Sequence, residues 1–598
     1  MQRGTFWLLA PSLALFLGLN FLSHFDVLFR RMAWNHVLCN ATVVLAVGVC
    51  ATLCLSLALA GLERLLGSWA GQPSTFLCFL LFYSVNLMYL KLRLIAWVRP
   101  LKEGTRLVLT GIALLGVVLL YWLLRQRVAA LKAGGATLSV RPLTVWVLIA
   151  LAVGWLAGRA DSGGLPEPGR KPSILMVTYD GLAAQDMSLY GFKLPTTPGL
   201  DRLASSAYVF EAVHANSNST PLAIPCFQGY YPRVVNGEPT SGALGPTLLE
   251  VLRGQGYRTC LISFHNSRFF SLKGVDEERV IRSFELTPLF RALNRVWRRE
   301  QLEWLSSIAT EEWMYYNPFD PRIQDEYHLF WEREHHPSEL MLEQAAEMLE
   351  RHPAGLLVWV HTWVPHYPYR PAKPYRGRFG GPDSLPGPRY TNGPYSPKFK
   401  PLVDRLRLAY DEYILQGDAF LEVALTRLRE RGVLDRIYLV VSSDHGQSFQ
   451  DGYLGHWGRR ASEPLLHVPL LLRVPDQKGG ARLATPAQQL DVAPTLLELL
   501  GLPIPPEMPG ESLAPYLDEP SRLSPRPKVC LTTGVQLGFG GQVAVYQEAF
   551  KLVFTSTDPD RATLLDLRTG QDVTAEHPDR VAKMLAAYLG LKEGGMLP

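Results

Sequence analysis

Cysteine is scarce in this chain of 598 residues, with seven in all. Four of them (Cys39, Cys50, Cys54, Cys78) lie in apolar runs, and the spacing of Cys226, Cys260 and Cys530 fits neither a zinc knuckle nor a disulfide framework. Net charge is small as well, a formal +5, which excludes the dense basic footprint of a nucleic-acid-binding protein. There is no internal repeat and no long low-complexity tract. Charge is missing most plainly from the N-terminal quarter. Five runs there, Thr5–Phe25, Met32–Leu62, Leu65–Leu90, Leu107–Leu124 and Pro142–Gly158, contain no Asp, Glu, Lys or Arg. A helix needs about 20 apolar residues to cross a bilayer, so the first four qualify and the fifth is at the short end. A cleaved signal peptide would account for one such run, not five. The expectation is an N-terminal α-helical polytopic membrane domain of about five helices over residues 1–158.

Residues 159–172, rich in Gly, Pro and charge, read as a linker. Beyond it, short apolar runs alternate with helical patterns, which implies a layered α/β domain over 173–598 with a largely parallel central sheet. Candidate strands are Ile174–Thr178, Thr259–Phe264, Leu356–Val360, Ile437–Ser442 and Val468–Val474. Candidate helices are Leu402–Arg429 and Val492–Leu500. An insertion near 286–351 is crowded with Trp297, Trp304, Trp313, Tyr315, Tyr316 and Trp331. It reads first as helices packing their aromatics into the domain, and second as a membrane-surface element.

Two of the apolar runs end in chemistry. One leads into Asp180-Gly181, the other into Asp444-His445-Gly446. In open α/β sheets ligands bind at the carboxyl ends of the strands. Two carboxylates and an imidazole suit a divalent metal, Zn or Mn first and Ca as a further possibility. Between them lies the hydroxyl-rich Asn218-Ser219-Thr220-Pro221. Pro221 fits the first turn of a helix, which would put Thr220 at its N-cap, where a helix N-terminus favours an anionic group. A metal would activate a Thr220 hydroxyl as nucleophile. The expected metal set is Asp180, Thr220, Asp444 and His445.

These motifs resemble the sulfatase-like branch of the alkaline phosphatase superfamily, which holds sulfatases, lipoteichoic-acid synthases and lipid A phosphoethanolamine transferases. The likeness runs in family order from about Ser173 to the C-terminus. It includes Thr196-Thr197-Pro198-Gly199-Leu200-Asp201, the segment Asn218 to Cys226, Pro365-His366-Tyr367-Pro368-Tyr369, Ser443-Asp444-His445-Gly446, Gly455-His456 and Asp491-Val492-Ala493-Pro494-Thr495. The resemblance implies an alkaline-phosphatase-like α/β fold. It also implies His456 and His366 as general acid and as binders of the non-transferred oxygens. In the sulfatase register the nucleophile position is Ser219, but the family's Arg is Ala223 here. In the transferase register it is Thr220, followed by Pro225-Cys226. Thr220 is favoured and Ser219 is the runner-up. Asp180 stands where the transferases carry Glu, and Gln447 where Glu is common. His361 and His467 are read as structural.

The expected function is a membrane-bound, metal-dependent transferase. It would move a phosphoryl-alcohol group from a membrane phospholipid donor to an envelope glycan or lipid acceptor through a threonine-linked intermediate. Two alternatives stand beside it: a membrane-anchored phosphate- or sulfate-ester hydrolase, and an inert membrane binding protein keeping the fold. The resemblance places the catalytic domain on the periplasmic or exterior face of a multi-pass plasma-membrane protein. Arg125, Arg127, Lys132 and Arg141 agree with that orientation, while Lys91, Arg93, Arg99, Lys102 and Arg106 argue against it.

Overall fold

The computed structural model describes residues 171–598 except 236–237, 241–243, 264–272, 282–336, 368, 382–392, 525, 539 and 598. All described residues fall in one unit, Gly164–Ser283 with Gln324–Pro598. The five apolar runs, the linker to residue 170 and the 286–336 part of the aromatic-rich insertion lie outside the described residues. Among the described residues no helix is long and apolar enough to cross a membrane.

An eight-stranded sheet forms the centre. In chain order its strands are β1 (Ile174–Asp180), β2 (Tyr208–Phe210), β3 (Arg258–Ser263), β4 (Glu277–Val280), β5 (Leu356–Pro365), β6 (Tyr438–Ser443), β7 (Leu470–Arg473) and β8 (Ala481–Leu483). Their spatial order is β8-β2-β7-β6-β1-β5-β3-β4. β1 runs parallel to both β6 and β5, and β3 runs parallel to β5 and β4. Every residue of β1 is buried, as expected for a strand covered on both faces. Alternation divides its side chains between two cores. Leu175, Val177 and Tyr179 join Val358, Val360, Leu439 and Val441 on one face. Ile174 and Met176 join Leu357, Trp359, Val440 and Leu472 on the other.

The longer described helices against these cores are α1 (Leu248–Gly254), α2 (Pro337–Arg351), α3 (Lys400–Glu430) and α4 (Val492–Leu499). α2 and α3 cover the first core, through Met341, Leu342, Tyr410, Tyr413 and Leu425. α1 and α4 cover the second, through Leu248, Leu252, Leu496 and Leu497.

The expected strand at Val468–Val474 is present as β7, but it runs antiparallel to β6 and to β2. The sheet is therefore mixed, and parallel only through its middle and at its two outer pairs. The cause lies in the connection. The chain between Ser443 and Leu470 stays at the carboxyl edge of the sheet, and its only α-helix is the single turn Glu463–Leu466. Without a crossover back to the far edge the next strand must reverse direction.

Buried acidic residues on α3 organise loops near the sheet's carboxyl edge. Glu412 accepts the N–H groups of Gly377, Phe379 and Gly381 at 2.9, 2.8 and 2.8 Å. Asp418 accepts those of Gly199 and Leu200 at 2.7 and 2.9 Å, fixing the start of the short helix Pro198–Leu203. Burial lifts the Asp418 carboxyl to about 7, against the pull of those two donors. Its pKa in the fold thus lies above its ordinary 3.8, so the native state holds the proton more tightly than the unfolded chain. The corresponding stability is full below about 4 and is lost as pH rises through about 7, with a slope of at most about 1.4 kcal/mol per pH unit. Asp418→Asn is expected to flatten the fall of Tm between those pH values in thermal melts. An unchanged slope would show that the carboxylate is ionised throughout.

A second sheet follows, with strands β9 (Lys528–Leu531), β10 (Gln542–Gln547), β11 (Phe550–Thr555) and β12 (Asp558–Asp566) in an antiparallel meander. Helix α5 (Pro578–Glu593) packs Met584 and Tyr588 into its apolar cluster. None of these strands figures among the sequence candidates.

Candidate metal centre and nucleophile

The register of β1 on β6 pairs Thr178 with Ser442 and Tyr179 with Ser443. The residues that follow, Asp180 and Asp444, are therefore neighbours despite their separation in sequence. The Asp444 N–H donates to Tyr179 O at 3.0 Å. The turn after Asp444 demands glycine, because a Cβ on Gly446 would stand 2.0 Å from the Pro464 carbonyl oxygen. Gln489 braces the same turn, donating from Nε2 to the carbonyls of Ser443 and Asp444 at 2.9 and 2.5 Å.

Asp180, Asp444 and His445 are buried, with one ligand atom of each within 4.8 Å of the others. His445 Nε2 stands 3.7 Å from Asp180 Oδ1 and 3.5 Å from Asp444 Oδ2. Thr220 Oγ1 joins them, 3.2 Å from His445 Nε2 and 3.5 Å from Asp180 Oδ1. All four residues expected to hold a metal are thus brought to one point.

The surroundings fit a divalent cation. Asp444 Oδ1 accepts the N–H groups of Gly181 and His445 at 3.1 and 2.7 Å, whereas its Oδ2 is buried without a hydrogen-bond partner. A buried carboxylate oxygen without a donor is costly unless a cation faces it. His445 Nδ1 donates to Gly446 O at 2.9 Å, which turns the Nε2 lone pair toward the carboxylates, as ligation requires. Burial, then the charge of Asp444, pushes the Asp180 carboxyl well above the usual range, and burial raises Asp444 too. Burial lowers His445 to about 4. Two carboxyls that resist ionising together and an imidazole that stays neutral form a donor set that a bound cation would stabilise.

The expectation for the helix is corrected by one residue. Ser219 occupies the N-cap, with extended φ −154°, and Thr220 opens the helix. That helix is a single turn, Thr220–Ala223, continued as 3-10 turns to Gln228. So short an element has almost no macrodipole, and the argument for anion binding from the helix end falls away. The hydroxyl in contact with His445 and Asp180 is that of Thr220.

His366 and His456 converge beside the cluster. Their Nε2 atoms are 3.3 Å apart, and the His456 ring stacks on His445 with centroids at 4.0 Å and planes 14° apart. His366 Nδ1 donates to Tyr367 O at 2.7 Å and His456 Nδ1 to Asn218 O at 3.1 Å. Both Nδ1 protons are spoken for by carbonyls, so two Nε2 lone pairs face each other. They repel unless a donor hydrogen stands between them, which suits the pair to holding a proton or receiving a ligand O–H. Burial lowers His366 to about 4 and holds His456 well below its ordinary value, with the neighbouring imidazoles adding to the effect.

Other residues separate from the expectation or were missed. His467 bonds Glu211 O at 2.9 Å and packs on Tyr190, consistent with the structural reading. His361, read the same way, instead stands with Nε2 4.0 Å from Asp180 Oδ2, its Nδ1 sharing a 3.0 Å hydrogen bond with Thr178 Oγ1. The signal was available, since His361 follows the apolar run Leu356–Val360 just as Asp180 and Asp444 follow theirs. Thr533 carried no signal in sequence, and Asn218 stood in the nucleophile segment without a role of its own. Asn218 Nδ2 donates to His456 O at 2.7 Å, and its Oδ1 accepts both the N–H and the hydroxyl of Thr533 at 2.7 Å.

A family model described as Sulfatase matches residues 172–502, and one described as N-sulphoglucosamine sulphohydrolase, C-terminal, matches 452–576. Arylsulfatase K of Xenopus laevis is 26% identical over 207 residues, covering 33% of this chain and 38% of that protein. The ulvan-active sulfatase of Formosa agariphila is 23% identical over 365 residues, covering 58% and 66%. The match thus spans less than two fifths of the arylsulfatase K relative. Among solved structures, the phosphonate monoester hydrolase of Agrobacterium radiobacter superposes with a TM-score of 0.53 at 15% identity, covering 71% of this chain and 96% of that one, a likeness of fold.

Proposed function

This chain belongs to the sulfatase family, and from that premise we propose that it is a metal-dependent hydrolase of sulfate esters. One observation carries the proposal: the Thr220 hydroxyl lies on the Asp180–Asp444–His445 cluster, beside His366 and His456. Asp180, Asp444, His445 and Thr220 would hold the ion, Zn or Mn by ligand type and Ca as the third candidate. When bound, it supplies positive charge for the ester oxygens and lowers the pKa of the hydroxyl it contacts.

The protein's own groups do the rest. Thr220 Oγ1 attacks the central atom of the ester as its proton passes to Asp180 Oδ1. The bond to the leaving alcohol oxygen breaks, and His456 Nε2 hands that oxygen the proton held between it and His366 Nε2. The pair regains a proton from the water of the second step, and Asp180 returns its own to Thr220. His366, fixed by Tyr367 O, binds an oxygen that is not transferred. Water then cleaves the bond between the central atom and Thr220, returning the hydroxyl and releasing the acid.

Ala223 in place of the family's Arg, together with Thr220 rather than Ser219 at the cluster, favours an unmodified threonine nucleophile. The same observation supports a second reading, hydrolysis of phosphate or phosphonate esters. The phospholipid transferase expected from the apolar N-terminus finds no support among the relatives, and water is preferred to a glycan or lipid as acceptor. The five apolar runs would still anchor the hydrolase, with residues 171–598 on the periplasmic or exterior face.

The test is turnover of 4-nitrophenyl sulfate, phosphate and phenylphosphonate by the full chain loaded with Zn, Mn or Ca in turn. The family reading expects the sulfate ester to be the best of the three. A higher kcat/KM on phosphate or phosphonate selects the second reading. Turnover that requires an added glycan or lipid alcohol, with the group recovered on that alcohol, would overturn hydrolysis in favour of transfer. No turnover of any ester under every metal, together with no adduct on Thr220 by mass spectrometry, would leave the inert binding protein.

A further inference from the structure

The residues just before the nucleophile are stitched to the C-terminal sheet. Leu531 N–H, at the end of β9, donates to Asn216 O at 3.0 Å, and Asn216 Nδ2 donates to Val529 O at 2.8 Å. Ser217 bridges Leu531 in parallel and donates from Oγ to Gln536 Oε1 at 2.6 Å. Asn216, Ser217, Asn218, Thr532 and Thr533 are fully or almost fully buried. Asn218 is the junction of the seam. On one side Thr533 gives it two hydrogen bonds; on the other it gives one to His456 O and takes one from His456 Nδ1 on its own carbonyl.

The same sheet grips the chain after His456. Gly534 N–H donates to Gly458 O at 3.2 Å, Gln542 N–H to Arg459 O at 2.9 Å, and Ala461 N–H to Gln542 Oε1 at 2.9 Å. Lys551 on β11 reaches Glu463 Oε1 at 2.8 Å and bonds the Ala461 carbonyl. Both backbone segments that set the His456 ring, Asn218 before the nucleophile and Gly458–Glu463 after the ring, are therefore anchored on 532–551.

We propose that Thr533 is a positioning residue for His456, acting through Asn218, and that the C-terminal sheet is thereby part of the catalytic apparatus. An Asn amide is held more stiffly the more of its hydrogen-bonding positions are engaged, and without the Thr533 hydroxyl Oδ1 would keep the Thr533 N–H alone. With two donors on Oδ1 its orientation is set, Nδ2 must point to His456 O, and the Asn218 carbonyl stays where it takes the Nδ1 proton. His456 Nε2 is then held toward His366 and the cluster. The proposal rests on the hydrolase reading for its kinetic consequence, but the geometry can be tested without it.

Thr533→Val removes the hydroxyl donor with almost no change in shape, and Thr533→Ser keeps it. In the full chain, Thr533→Val is expected to lower kcat about tenfold on a phenyl ester, whose leaving group needs the proton. It should lower kcat less than about threefold on the 4-nitrophenyl ester, whose leaving group does not. KM should stay unchanged and Thr533→Ser should restore the rate. Ser217→Ala cuts a bond of the same seam that does not lead to His456, and should act equally on both esters. In ring-15N-labelled protein, the His456 Nδ1–H resonance should exchange with water at least about tenfold faster in Thr533→Val than in wild type. That readout needs no turnover, so an inactive wild type would overturn the hydrolase reading while the exchange rate still judges the proposal. Equal losses on both esters, failure of serine to rescue, a Ser217→Ala profile matching Thr533→Val, or an unaltered exchange rate would each overturn it. If Thr533→Val does not fold, Asn218→Ser makes the same test, since it withdraws the amide from His456 O.

Discussion

Thr220→Ala removes turnover by about a thousandfold or more, the scale on which a lost nucleophile acts, while Ser219→Ala keeps a readily measured rate. The expectation follows from which hydroxyl lies on the cluster. Thr220 Oγ1 is 3.2 Å from His445 Nε2, whereas Ser219 is the N-cap of a single helical turn and its side chain makes no capping bond. Replacing Ser219 should therefore cost less than the loss of about 1 kcal/mol expected for an engaged cap. A trapped ester on Thr220 after quenching, absent from Thr220→Ala, is the second half of the result. Inactivation by Ser219→Ala alone, with a mass lower by two hydrogens on the wild-type Ser219 peptide, would instead mark Ser219 as an oxidised sulfatase-type nucleophile and move the chemistry one residue upstream.

Asp444→Asn separates the cluster's charge from its shape. The amide oxygen can still accept the Gly181 and His445 N–H groups that hold Asp444 Oδ1, but the oxygen that would face a cation becomes an NH₂. Metal affinity should fall at least about a hundredfold, beyond the loss typical of an outer-sphere change, and turnover with it. Stability should move the other way in metal-free protein. Burial holds the Asp444 carboxyl above its ordinary value, so in the absence of metal its stabilising contribution is full at low pH and is lost as pH rises through the raised value. A neutral side chain escapes that loss. Metal-free Asp444→Asn should thus melt at or above metal-free wild type at pH 7, whereas Zn or Mn should raise the Tm of wild type and leave the variant unmoved. A metal-induced rise in the variant equal to that of wild type would remove the cluster as the binding site.

The core of this centre was legible because each of its parts ends an apolar run, and a strand covered on both faces has few other ways to end in an acid. Asp180, Asp444 and His445 carried that signature, and Thr220 stood beside Pro221, a proline placed to open a helix. His361 carried it too, directly after Leu356–Val360, but its reading as structural gave it no place beside Asp180; it lies within β5, which continues to Pro365. The direction of β7 was not legible, since a short buried strand of three leucines and Arg473 looks alike in either orientation and only the path of the preceding connection decides. The helix start missed by one residue for a similar reason: Ser219 and Thr220 are both capping types, and backbone dihedrals choose between them. Thr533, and the part that Asn218 plays, were beyond reach altogether. Their bonds join positions with no shared periodicity or motif, and their meaning exists only once the C-terminal sheet is folded.

That last contact has a consequence for the order of events during synthesis. Asn218 and Thr533 are separated by 315 positions, and domains fold largely as their chain emerges, N-terminal parts first. Asp180, Thr220, Asp444 and His445 will all have left the ribosome well before Thr533. A nascent chain can therefore bring Asp180, Asp444 and His445 together while the nucleophile segment and the ring of His456 still lack their anchor. Competence to transfer a proton would arrive as a late and separate event, timed by the emergence of the last strands.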